Sequence, residues 1–181
     1  MSSGESILKR ALFIGRFQPF HNGHLHGLRY IFGEVDEVAI VVAAAQYNYT
    51  VENPFTAGER IEMIKAGVGE LYDRVYIIPV DNVPNNFEWP RHVLNYVPRV
   101  DVVYSNNRFV QLLFKDYGYE TIETPLLPGV NGSIIRKLIA EDGDWRSLVP
   151  EQVARIIDDI GGVERIKTLW RLRVKVWGER F

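Results

Sequence analysis

Two histidines three residues apart, His21 and His24, carry the clearest chemical signal in the chain. They lie in Gly15-Arg16-Phe17-Gln18-Pro19-Phe20-His21-Asn22-Gly23-His24, which follows a short apolar run and opens a helical one. Residues at this spacing face one point when a helix begins between them. A helix start offers unpaired backbone N–H groups and a partial positive charge, which suits a phosphate. An imidazole can add a hydrogen bond to a phosphate oxygen. A donor aimed at developing charge accelerates a reaction without moving a proton. The helix dipole opposes protonation of such a ring and a bound polyphosphate favours it, so spacing alone leaves the charge state open. Gly15 lets the backbone pass close to a nucleotide, Pro19 stiffens the turn, and Gly23 leaves room for a phosphate chain between the two histidines. Metal ligation fits the same spacing, although no third ligand is evident. Ordinary helix capping fits it too. His26 falls on the adjacent face and takes no role.

A second group is Gly132, Ser133 and Arg136. Ser133 reads as an N-cap whose hydroxyl and neighbouring N–H groups can meet a phosphate. Arg136 lies one turn later on the same side, and its fork matches phosphate geometry. A plain cap with a surface arginine is the other reading. Weaker candidates sit in loops after apolar runs: Gln46, the Asn85-Asn86 pair with Trp89, and Asn106 with Asn107. Trp89 also suits a core position, and the two later asparagines also suit a helix cap.

These loops need strands and helices to hold them. Short apolar runs predict strands over Ala11–Ile14, Glu37–Ala44, Arg74–Val80, Val100–Ser105 and Tyr119–Thr124. Helical spacing of Leu25, Leu28, Ile31 and Phe32 predicts a helix over Gly23–Glu34. Thr56 and Glu59 form a capping box for a helix ending near Gly67. Further helices are expected over Arg91–Tyr96 and Arg108–Tyr117. From 133 onward the chain reads as helical to its end, with Pro150 in a first turn. The alternation gives an α/β fold: a doubly wound parallel sheet of about five strands, helices on both faces and a helical C-terminal region. Such sheets bind ligands beyond the carboxyl ends of their strands. The loops after Ile14, Ala44, Val80 and Ser105 should therefore share one edge.

Composition sets the outer bounds. The 181 residues, 46% hydrophobic, suffice for one ordered domain over 11–181, with residues 1–10 as a loose tail. A net charge of −2 gives no general attraction to nucleic acid or acidic membrane. Arg165, Lys167, Arg171, Arg173, Lys175 and Arg180, set among Trp170 and Trp177, read as a solvated or subunit-packing helix. The chain contains no cysteine, which excludes disulfides and thiolate chemistry and fits a cytoplasmic location. Met1–Arg10 has no apolar centre, so no secretory leader is expected. The longest apolar run, Val38–Ala45, is too short to cross a bilayer.

The decapeptide from Gly15 to His24 resembles the signature of the nucleotidylyltransferase superfamily with the His-x-Gly-His motif. Its Arg-Phe-Gln-Pro-Phe form is similar to that of archaeal-type nicotinamide-nucleotide adenylyltransferases. Asn53-Pro54-Phe55-Thr56-Ala57-Gly58-Glu59-Arg60, Tyr76–Val80 and Gly143–Leu148 extend the likeness from Ala11 to about Lys167. The resemblance implies a Rossmann-like fold and adenylyl transfer from ATP to nicotinamide mononucleotide (NMN), giving NAD and pyrophosphate. It implies His21, His24, Arg16 and Arg136 as catalytic groups. ATP would meet Gly15, Arg16, Phe17, His21, His24, Asn106, Asn107, Gly132, Ser133 and Arg136, and NMN would meet Gln46, Asn86 and Trp89. Trp89 would stack on the nicotinamide cation and Asn86 would pair with its carboxamide, with His92 in support. Mg²⁺ would be held mainly by phosphates and water, and homo-oligomers, often hexamers, are the rule among relatives. The chain departs from the family at Asn131 and Ser133, where serine and threonine are common, and at Glu52, where relatives often carry a basic residue that helps bind phosphate. Other acceptors in the superfamily (phosphopantetheine, flavin mononucleotide) and a non-catalytic nucleotide sensor are the competing readings.

Overall fold

The computed structural model describes residues 7–175. These form five strands, β1 (Arg10–Gly15), β2 (Glu37–Ala43), β3 (Val75–Val80), β4 (Val102–Tyr104) and β5 (Thr121–Ile122). They pair in parallel in the order β3-β2-β1-β4-β5. The chain thus starts at the centre, winds to one edge, then returns across β1 to build the other half. That reversal opens a crevice at the carboxyl end of β1, where doubly wound sheets take their ligands.

Alternation along the strands divides the core. Ala11, Phe13, Val38, Ile40, Val42, Val102 and Tyr104 point to one face, and Leu12, Ala39, Val41, Ala43, Val80 and Val103 to the other. The first face is covered by α1 (Asn22–Phe32), α2 (Ala57–Val68), α5 (Gly132–Ala140), α6 (Glu151–Asp159) and α7 (Gly162–Leu172). The second is covered by α3 (Trp89–Leu94) and α4 (Arg108–Asp116). Every β2 residue after Glu37 is buried, as its unbroken apolar run requires.

Several expected boundaries shift. β4 and β5 are shorter than their apolar runs, because Val100 and Tyr119 serve the core from loop positions. A 3₁₀ segment, Gly69–Arg74, intervenes between α2 and β3. α3 begins at Trp89, two residues early, with Pro90 in its first turn. Lys9 is tied to Asp36 in both directions, so the chain is fixed before the expected tail ends. Ser2, Ser3, Gly4, Trp177 and Arg180 lie outside the described residues. Among the described residues the last helix, α7, ends at Leu172. Among the described residues no helix is long and apolar enough to cross a membrane.

Candidate active site

The first loop and α1 are held by the two histidines themselves. His21 is the N-cap of α1, and its Nδ1 accepts the backbone N–H of His24 at 3.2 Å. The Nδ1 of His24 accepts the backbone N–H of His21 at 3.2 Å. This is a capping box built from imidazoles instead of Thr and Glu. The rings stack at 3.6 Å between centroids, and His24 also packs against Phe17 at 4.6 Å and Phe20 at 5.5 Å. Capping and chemistry are therefore not rivals here. Each Nδ1 is used as an acceptor, which assigns the proton of the neutral ring to Nε2 on its far side.

Electrostatics settle the charge state that spacing left open. Burial, then the Arg136 charge, pushes His21 down to about 4. Burial, then His21, holds His24 well below its ordinary value. Both rings are neutral Nε2–H donors near pH 7. As pH falls, the unfolded chain takes up protons near 6.5 while folded His21 resists until about 4. The His21 contribution is complete above 6.5, declines between 6.5 and 4, and is lost below that. His21 contributes on the order of 3 kcal/mol to that loss, and His24 adds the same sign. Urea titrations at pH 7.5, 5.5 and 4.5 should show this slope. His21→Asn, which keeps a capping acceptor, should flatten it; an equal slope in the variant would contradict the assignment.

Glycines in the two loops make room for side chains rather than for a ligand. A Cβ on Gly23 would lie 3.0 Å from the His21 ring and 3.3 Å from the Val130 carbonyl. One on Gly15 would lie 2.9 Å from the Phe17 ring, and one on Gly132 2.9 Å from the Arg136 guanidinium. Phe17 itself is 1% exposed and packs on Phe13, so its ring serves the core although the residue borders the cleft.

α5 starts differently from expectation. Asn131, not Ser133, is the N-cap, its Oδ1 accepting the Ile134 N–H at 2.9 Å. Serine at 133 is the second helical residue, and its hydroxyl accepts from Arg136 at 3.3 Å. Arg136 is buried, not a surface arginine. It donates to the Gln18 carbonyl at 2.8 Å, and its Nε has no partner among the described residues. Burial, then the nearby Arg16 charge, lowers its pKa to about 10, which leaves it cationic; Glu52 opposes the shift.

Three lobes adjoin one another here. The first, of about 340 Å³, is walled by Arg16, His21, His24, Gly132, Ser133 and Arg136. A second, of about 430 Å³, runs past Arg16 and Ala44 to Asn82, Asn86, Trp89 and Asn107. A third passes His21 and His24 toward Ser105, Asn107, Thr124 and Leu127. No Asp or Glu lines any of the three. An acidic protein thus presents a cationic cleft.

Side-chain amides fasten the loops around it. Gln18 donates to the Phe55 carbonyl and accepts the Phe55 N–H, both at 2.9 Å. Gln46 does the same to Asn82, at 3.1 and 3.0 Å. Asn106 donates to the Thr124 carbonyl at 3.1 Å and accepts its N–H at 2.8 Å. Gln46 therefore secures a lobe wall instead of lining it, and Asn106 has its amide engaged. Asn107 caps α4 through Phe109 and Val110 while still facing the cleft. Trp89 is 9% exposed and meets Phe114 edge-on, so it is both core and lobe wall. His92 packs on Tyr96 and lines a different groove. Glu52 lies in a basic pocket with Arg171, Arg173 and Lys175. Gln18 and Arg60 were missed. The signal for Arg60 was its place on the buried stripe with Met63, Ile64 and Gly67.

A doubly wound sheet with paired imidazoles at the tip of β1 defines a nucleotidylyltransferase, and residues 12–138 match the family described as cytidylyltransferase-like. The narrower membership is equally clear. The chain is 45% identical to the nicotinamide-nucleotide adenylyltransferase of Methanothrix thermoacetophila, over 90% of this chain and 96% of that one. It is 48% identical to that of Pyrobaculum aerophilum, over 88% and 93%. The chain belongs to the nicotinamide-nucleotide adenylyltransferase family. Among solved structures, a bifunctional NMN adenylyltransferase/ADP ribose pyrophosphatase from Francisella tularensis superposes with a TM-score of 0.65 at 18% identity. That match covers 92% of this chain and 57% of the bifunctional one, and it bears on the fold alone.

Proposed function

We propose that this enzyme transfers the adenylyl group of ATP to NMN, forming NAD and pyrophosphate. The observation that carries the reading is that one lobe, walled by Arg16, His21 and His24, shares Arg16 with the large lobe and the two histidines with the third. The lobe beside Gly132, Ser133 and Arg136 suits the triphosphate. The lobe toward Thr124 and Leu127 suits the adenosine, and the large lobe with Asn86 and Trp89 suits the mononucleotide. Asn86 is exposed at the large lobe and free to pair with a carboxamide.

A phosphate oxygen of NMN attacks the α-phosphorus of ATP. The new P–O bond forms as the bond to the β-phosphate oxygen breaks, and pyrophosphate leaves with that electron pair. The nucleophile is already anionic, so neutral imidazoles suffice; they donate from Nε2 to the reacting phosphate. Arg16 and Arg136 offset the triphosphate charge. Holding two anions together supplies at best about 7–11 kcal/mol. A divalent cation such as Mg²⁺, held mainly by the ATP phosphates and water, would help neutralise the triphosphate charge. The cleft walls carry no carboxylate, and among the described residues no group of three acidic or histidine ligands could cage an ion. We read the protein as a homo-oligomer, supported by large apolar side chains exposed around α3 and α4: Phe87, Tyr96, Phe109 and Leu112.

Incubation with ATP, Mg²⁺ and one of NMN, flavin mononucleotide or phosphopantetheine tests the reading. NAD and pyrophosphate in equal amounts with NMN are expected. Pyrophosphate release with another acceptor, and none with NMN, would replace it.

A further inference from the structure

Among the described residues Arg60 is the largest fully buried side chain, at 0% exposure, and no carboxylate among them accompanies it. Its guanidinium donates instead to backbone carbonyls from three segments. Nη1 reaches Arg16 and Ala43, both at 2.9 Å; Nη2 reaches Ala44 at 3.3 Å and Ala45 at 3.4 Å; Nε reaches Thr56 at 3.3 Å. A buried cation without a counter-charge is costly unless its donors are satisfied. Here they are spent at the carboxyl ends of β1 and β2, directly behind the cleft.

The backbone it grips is strained. Phe17 has φ +52° and Ala44 φ +51°, left-handed values that non-glycine residues seldom adopt. Such residues persist where their surroundings over-determine them. The Arg16 carbonyl belongs to the peptide leading into Phe17, and the Ala43 and Ala44 carbonyls flank Ala44. One guanidinium therefore holds both left-handed turns. Those turns place Arg16, which is exposed and common to the phosphate and mononucleotide lobes, and Ala44, which walls the latter.

Resting on the reaction proposed above, we infer that Arg60 is a positioning residue of the adenylyl transfer: it fixes the two turns so that Arg16 faces the phosphates. It touches no substrate. Lysine keeps the charge but has no planar fork and fewer donors, so it cannot span both turns. Charge alone is thus not the device.

The test compares Arg60→Lys, Arg60→Gln, Arg16→Ala and the Arg16→Ala/Arg60→Lys pair, each confirmed folded at the assay temperature by its melting curve. Arg60→Lys should lower kcat/KM about 10²-fold, the scale of a misplaced group. Most of the loss should appear in kcat, because Arg16 would no longer follow the charge that develops at the α-phosphate. Arg60→Gln gives the same result should the lysine variant fail to fold. In the Arg16→Ala background the Arg60 change should cost no more than about threefold, since coupled residues are not additive. Equal fold losses in both backgrounds, or unchanged kcat/KM in folded Arg60→Lys, would overturn the inference. Failure of the unsubstituted enzyme to make NAD is a separate outcome and would sink the reaction itself.

Discussion

His24→Ala should lower turnover by roughly 10²–10³-fold, the range for one lost donor at a developing charge. Its Nε2–H is placed by three contacts: the Nδ1 acceptor role in the cap, the stack on His21 and the packing against Phe17 and Phe20. The same substitution removes half of a capping box, so stability should fall by about 1–2 kcal/mol. Turnover must therefore be measured on protein shown to be folded. His24→Asn offers the helix start an acceptor again but brings no Nε2 to the phosphate. It should recover much of the stability and little of the turnover. Recovery of both would mean that the ring acts only through the cap.

Arg136→Met should separate activity from stability more sharply still. Loss of the cation facing the triphosphate should lower kcat/KM for ATP by about 10²-fold or more, on the scale of 2–3 kcal/mol for a charge-assisted hydrogen bond. Yet the folded protein gains relief. Arg136 is buried, leaves its Nε unpaired and sits near the Arg16 charge. A methionine of similar shape removes that desolvated charge and leaves the Gln18 carbonyl and the exposed Ser133 hydroxyl short of a donor. The two effects should nearly cancel, so denaturation midpoints should hardly move. A large drop in stability at unchanged kcat/KM would recast Arg136 as a structural tie.

The parallel α/β class and the edge that carries the site were legible because β2 is apolar after Glu37 and the loops after β1, β3 and β4 hold the unusual polar residues. The histidine pair was legible for the same reason: its spacing straddles a helix start. What failed to show were contacts between segments distant in sequence. Ser133 looked like a cap because serine commonly caps, but it is the Asn131 side-chain Oδ1 that accepts the Ile134 N–H. Gln46 looked like a ligand contact, yet its amide is spent on Asn82, 36 residues away. Gly23 looked like space for a phosphate and is space for an imidazole. Spacing along a chain reports what a residue can do locally, not which distant backbone will claim it.

The three amide clasps have a thermodynamic corollary. Gln18, Gln46 and Asn106 each bind a neighbouring loop as a strand would, by one donation and one acceptance. The rim is therefore organised during folding, before any nucleotide arrives. Substrate encounter then forfeits little chain disorder, and attraction between the cationic hollow and its polyanion can be spent on bringing the reacting atoms together.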